Sequence, residues 1–101
     1  MSTSTNLPKA NSPYYANKHG IQLKEFMTDY DKFLYTQGCY WSALKYHIRA
    51  GKKEGESHAK DIKKRDDYIN DLIALDWLNS KEEIIEELEH TKNKFENYKG
   101  K

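Results

Sequence analysis

From Ile21 to Tyr98 the apolar residues recur three and four positions apart, and no stretch alternates at a period of two for long enough to make a strand. That spacing commits the chain to helices. Ile21, Leu23, Phe26, Tyr30, Phe33 and Leu34 predict a first helix over 21–37, ended by Gly38 as the residue just past its last turn. Trp41, Leu44 and Ile48, extended by Ala43, predict the apolar face of a second helix over 40–50, stopped by Gly51. A third starts after the N-cap Ser57 and runs to about Leu78, carrying Ile62, Ile69, Leu72, Ile73, Leu75 and Trp77. Ser80 with Glu83 three residues on is a capping box, and a fourth helix follows to about Tyr98. Its Ile84, Leu88, Thr91, Phe95 and Tyr98 are spaced 4, 3, 4, 3, the alternation of a coiled-coil seam, too short to stand alone. The expected fold is all-α, a small bundle of about four helices.

The core of such a bundle would be lean. Apolar residues are 37% of 101 and mean hydropathy is −1.05, which points to an elongated shape or to a homo-oligomer that shares its core. Aromatic residues at 13% argue against general disorder. The expected organisation is a flexible arm over 1–12, a helical domain over 13–79 opening with Pro13-Tyr14-Tyr15 and a turn at 17–20, and an amphipathic acidic helix over 80–101. The lone Cys39 allows no intrachain disulfide and fits a reducing compartment. The first residues lack a secretory apolar stretch, and no run approaches the ~20 apolar residues that cross a bilayer, so a cytoplasmic protein without a membrane partner is expected.

Net charge is +1, yet the charge is divided. From Lys45 to Arg65 the balance is +5; from Asp66 to Tyr98 it is −7. The first segment attracts phosphates, and the second repels nucleic acid and suits a basic partner.

Familiar catalytic motifs are missing. There is no phosphate-binding G-x-x-x-x-G-K-[ST], no G-x-G-x-x-G, and the histidines His19, His47, His58 and His90 make no zinc pattern with one cysteine. The run Glu82, Glu83, Glu86, Glu87 resembles the E-x-x-E metal helix of all-α nucleotide pyrophosphatases. It would need Asp67 and Asp71, or Asp76, facing it; the simpler reading is a solvated face at a helix N-terminus. No metal site is assigned.

The informative constellation lies between Lys45 and Tyr68. Lys45 and Arg49 share a helix face, and Lys52 and Lys53 follow the helix-ending Gly51. Asp61, Lys64 and Tyr68 share a face of the next helix. If the two helices pair antiparallel, Asp61 sits opposite Arg49 or Lys45. A carboxylate holding an arginine fork is a common way to orient a phosphate ligand. The same residues also fit an ordinary inter-helix salt bridge with two soluble loop lysines. Tyr46, Tyr68 and Trp41 are expected to pack in the hairpin. His47 and His58 are expected at the surface.

At these residues the chain resembles a known group. K-Y-x-x-R-A-G-K-K, here Lys45 to Lys53, followed by D-[IL]-K-K-x-x-x-Y-[IL], here Asp61 to Ile69, is similar to a small phage family mostly called a domain of unknown function, and to the nucleotide kinase of podophages that lacks a P-loop. The resemblance extends over about Pro13 to Leu72. It departs at Trp41 and Ser42, where the family has Gly-Asn, and at Arg65, where it has a small residue. It implies a phage-encoded, nucleoside monophosphate kinase-like protein in the cytoplasm of an infected bacterium. Lys45, Arg49, Lys52 and Lys53 would neutralise the phosphoryl group, with Lys64 and Tyr68 completing the ligand site. Asp61 would orient Arg49 or accept a proton, which makes Lys45, Arg49 and Asp61 the expected catalytic set. No cofactor is implied beyond Mg²⁺ accompanying a nucleotide. A second function class is a non-catalytic phage inhibitor that sequesters a nucleotide signal or binds a host defence protein, with helix four as its interaction face or oligomer seam. Nucleic-acid binding ranks third.

Overall fold

The computed structural model describes residues 13–52, 55 and 57–100. The arm expected over 1–12, and Lys53, lie outside the described residues. A short 3₁₀ turn, Pro13–Tyr15, leads into four helices: α1 (Leu23–Tyr30), α2 (Lys32–Arg49), α3 (His58–Ala74) and α4 (Lys81–Glu96). An isolated bridge between Ala16 and Gln22 closes the loop before α1, and no strand forms among the described residues. The Asn17 side chain accepts from the amides of His19 (2.8 Å) and Ile21 (2.9 Å), and Gly20 takes φ +80°. The all-α bundle expected from the periodicity is the fold.

The boundaries move for local reasons. The first break falls at Asp31, not at Gly38. Asp31 leaves helical geometry, and its carboxylate accepts from the Leu34 amide (3.1 Å), capping α2. Gly38 then lies inside α2, so the break expected there is corrected. Helix α3 ends at Ala74, short of Leu78. Asp76 adopts φ +65°, the Trp77 amide reaches back to the Leu72 carbonyl (3.1 Å) and the Asp76 amide to that of Ile73 (3.0 Å). This is a Schellman stop with an aspartate in the usual glycine position. Ser57 and Ser80 cap α3 and α4 as expected (Oγ to the Lys60 amide 3.0 Å, to the Glu83 amide 3.2 Å). The carboxylate of Glu83 returns to the Asn79 amide (3.0 Å) rather than to that of Ser80.

Helices α2 and α3 form an antiparallel hairpin, and α4 packs across one side of it. Among the described residues the core is Cys39 and Ala43 from α2, Ile69 and Leu72 from α3 with Leu75 just beyond it, and Ile84 and Leu88 from α4. The face expected for the second helix holds at Ala43 and Leu44 and is corrected at Trp41. Trp41 is 60% exposed, while Cys39 and Ala43 are buried. Ile84, Leu88 and Thr91, three of the five residues of the expected seam, pack on the chain's own body, where Tyr40 hydrogen-bonds Thr91 (2.6 Å). Phe95 and Tyr98 remain exposed. Helix α1 closes the opposite side of the hairpin and contributes no buried residue.

Candidate functional site

The hairpin register decides which cations meet. Positions 35, 39, 42, 46 and 49 of α2 advance by four and three and present one stripe to α3. Arg49 thereby meets Asp61: its Nη2 and Nε both donate to Asp61 Oδ1, at 2.9 and 3.3 Å. Of the two partners left open for Asp61, Arg49 is the one it takes. Asp61 is fully buried, and its Oδ2 has no hydrogen-bond partner among the described residues. A buried carboxylate oxygen without a partner is costly.

Tyr46 is the centre of the arrangement. Its ring stacks on Tyr68 (centroids 6.1 Å, planes 11° apart), the Arg49 guanidinium carbon lies 4.8 Å from its centroid, and the Lys64 ammonium lies 5.4 Å away. Tyr46, Tyr68 and Lys64 line a cavity of about 710 Å³ between the hairpin, α1 and the preceding turn. Tyr15, Tyr35, Lys24, Lys63, Asp67 and Asp71 complete its polar wall, and Leu23 and Met27 supply apolar surface. Lys24 on α1 reaches across to the buried Asp71 on α3 (3.2 Å) and ties the two walls together. Burial pushes the Asp71 carboxyl above its ordinary range, with Lys24 pulling the other way. Burial likewise raises the phenols of Tyr35 and Tyr68 above their ordinary range. Lys63 pairs with Asp67 (3.4 Å). Lys64 makes no ion pair among the described residues.

The sequence-predicted cluster is divided by the fold. Arg49, Asp61, Lys64 and Tyr68 gather around Tyr46. Lys52 turns the other way and pairs with Glu96 of α4 (3.1 Å). Lys45 lies on the outer face of α2, its ammonium 5.8 Å from the Trp41 ring. Lys24 and Tyr35 were missed in sequence, because their partners are supplied by other helices.

A second polar system lies on the α4 side. His47 is expected at the surface, but its side chain is 9% exposed and bridges three helices. Arg65 Nη1 lies 3.1 Å from His47 Nδ1, and His47 Nε2 lies 2.8 Å from Glu89 Oε1. Guanidinium can only donate, so Nδ1 accepts and the ring proton sits on Nε2. The hydrogen bond from His47 holds the Glu89 carboxyl below its usual range. Arg65 also grips Asp66 (2.9 Å), which takes Lys81 (3.1 Å). The arginine that departs from the resembled pattern is thus a buried tie between helices. Among the described residues no three His, Cys, Asp or Glu side chains are placed to hold a metal ion, and no helix is long and apolar enough to cross a membrane. Asp71, a possible partner of the acidic run on α4, is engaged by Lys24.

Comparison with known proteins gives a family but no activity. Residues 9–70 match DUF3310, a protein family of unknown function. The chain is 43% identical over 63 residues to the SaV protein of Lactococcus phage p2 and, to the same extent, to that of Lactococcus phage SK1. These alignments cover 61% of this chain and 49% of each relative, so the chain spans about half the length of the curated relatives it matches. No solved structure matches it. The family match takes in the turn before α1, α1, α2 and most of α3, and stops before α4. The chain belongs to the DUF3310 family.

Proposed function

We propose that this member of a family with phage representatives is a nucleotide-phosphate-binding protein, and that the Tyr46–Tyr68 cavity is its ligand site. The observation that carries the proposal is one tyrosine ring, Tyr46, held against a second ring, an arginine and a lysine, with both rings and the lysine lining a cavity of about 710 Å³. Stacked rings offer a flat apolar face to a base, and the nearby cations offer charge-assisted hydrogen bonds to a phosphate. A cavity of this size suits a ligand of nucleotide dimensions. In this proposal Asp61 orients Arg49; buried as it is, it acts through the arginine rather than as a base in contact with substrate. Lys64 is the cation left for the phosphate, and Lys24 fixes the far wall through Asp71.

The resemblance to a P-loop-less nucleotide kinase names the reaction to look for, transfer of a phosphoryl group to a nucleoside monophosphate, with Mg²⁺ entering on the donor nucleotide. One observation favours retention without transfer. Lys52 is engaged by Glu96 and Lys45 faces outward, so two of the cations needed to neutralise a transferring phosphoryl group lie away from Arg49. A binder that sequesters a nucleotide signal in an infected cell fits this dispersal.

Calorimetric titration with mono-, di- and triphosphate nucleotides and cyclic dinucleotides, with and without Mg²⁺, tests the proposal. Arg49→Ala is expected to weaken binding by about 1–3 kcal/mol, the loss of one charge-assisted contact. Incubating each binder with ATP and resolving the products separates transfer from retention. Absence of binding by every nucleotide, or an Arg49→Ala variant that binds like the parent, would remove the assignment.

A further inference from the structure

The outer face of α2 carries a pattern that packing within the monomer does not explain. Leu34, Gly38, Trp41 and Lys45 advance by four, three and four, so they form one straight stripe on the side of the helix away from the core, and the N-cap Asp31, whose carboxylate also accepts from the Leu34 amide, stands three residues before it at the helix end. Leu34 is 58% exposed and Trp41 60%, and both Gly38 and Lys45 are exposed. Gly38 is the unusual member. An interior glycine weakens a helix relative to alanine, and here it takes no left-handed backbone conformation that would require it. A Cβ built on Gly38 would meet nothing within 4 Å. Nothing among the described residues therefore explains why this position lacks a side chain. A second body pressed against the helix would.

We infer that a second copy of this chain packs on that stripe, with two α2 helices crossing antiparallel about a twofold axis at Gly38. The occupant follows from the order of the residues. A twofold axis at Gly38 brings each position a given distance after it near the position the same distance before it. Trp41 then meets Leu34 of the partner to within one residue, about 1.5 Å along the helix. Lys45 and Asp31, seven residues either side of Gly38, meet as opposite charges, and the pair is made twice. Neither Lys45 nor Asp31 makes an ion pair among the described residues. The glycines face each other at the crossing, where a missing side chain lets the backbones approach closely. An unrelated partner would not require this symmetry of hole, knob and charge. The symmetry of the stripe places the interface on α2; on α4, Ile84 and Leu88 are taken into the chain's own core, and Phe95 and Tyr98 stay exposed without that symmetry.

Sedimentation equilibrium of the full chain, over a roughly hundredfold range of micromolar concentration, tests this directly because association follows mass action. A monomer–dimer equilibrium is expected. Gly38→Leu is expected to weaken association by roughly tenfold or more, while circular dichroism shows the same helical fold, since the added side chain meets nothing in the monomer. Lys45→Glu places like charges beside Asp31 and is expected to weaken association in the same direction. Gly38→Ala separates the two roles of the position: the melting temperature of dilute protein rises while association weakens. A chain that stays monomeric throughout would overturn the inference. So would a dimer unaffected by Gly38→Leu and Lys45→Glu, or one lost on Phe95→Ser instead, which would move the interface to α4.

Discussion

The two sides of the α2–α3 hairpin are finished differently. On one side α4 inserts Ile84 and Leu88 between Ile69, Leu72 and Cys39, and the chain Lys81–Asp66–Arg65–His47–Glu89 ties the three helices by polar contacts. On the other, α1 buries none of its residues and leaves a cavity walled by tyrosines and lysines, crossed by the ion pair from Lys24 to Asp71. Packing density supplies stability on the first side, and the loosely covered side is the one to which the proposed ligand site belongs. The matched family region includes the open side and omits the helix that seals the closed one.

The comparison breaks first if its stability claim is wrong. Leu88→Ala is expected to cost about 2–5 kcal/mol in denaturant unfolding, whereas Phe26→Ala on α1, whose ring is 46% exposed, is expected to cost well under half of that. Equal losses would mean that the two sides carry equal weight. Next comes the link across the cavity. Lys24→Met leaves Asp71 buried without its cation, with an expected loss of about 3 kcal/mol near neutral pH, the low end for a broken buried pair because the Lys24 side chain is part-exposed. The pH dependence has a definite sign. Because the Asp71 carboxyl is raised in the folded state, its protonated form is favoured there. Its contribution is full below the unfolded value and is lost as pH rises through the folded one. Removing Lys24 raises the folded value further, so the deficit of Lys24→Met should shrink on acidification, measured as unfolding free energy against pH. Smaller again, His47→Ala removes the acceptor of Arg65 and the donor to Glu89, and about 1–3 kcal/mol should be lost. Nucleotide affinity should be unchanged in that variant, because His47 is directed to the α4 side.

Local chemistry made much of this legible. The serine caps, the stop at Gly51 and the Asn17 turn are fixed by residues within five positions of one another, and they appear where the sequence puts them. The Arg49–Asp61 contact followed from helix faces once two helices pair as a hairpin. Other features depend on competition or on distance. Asp31 caps a new helix and so overrides Gly38 as a break, and an aspartate at position 76 adopts a conformation for which glycine is the usual signal. The spacing of Trp41 matches Leu44 and Ile48, but the pairing with α3 turns Cys39 inward beside the expected Ala43 and leaves Trp41 outside. The Lys24–Asp71 and His47–Glu89 contacts join residues 47 and 42 positions apart, and no local pattern encodes them.

The central claim is that the α1 side of the hairpin is the ligand-binding side and the α4 side is structural. Amide resonances of the labelled chain, followed by NMR during titration with nucleoside mono-, di- and triphosphates, test it most directly. The account predicts saturable shifts at Tyr46, Lys64, Tyr68 and along α1, with the amides from Ile84 to Leu88 unmoved. Shifts concentrated on α4, or no saturable shift with any nucleotide, would contradict it.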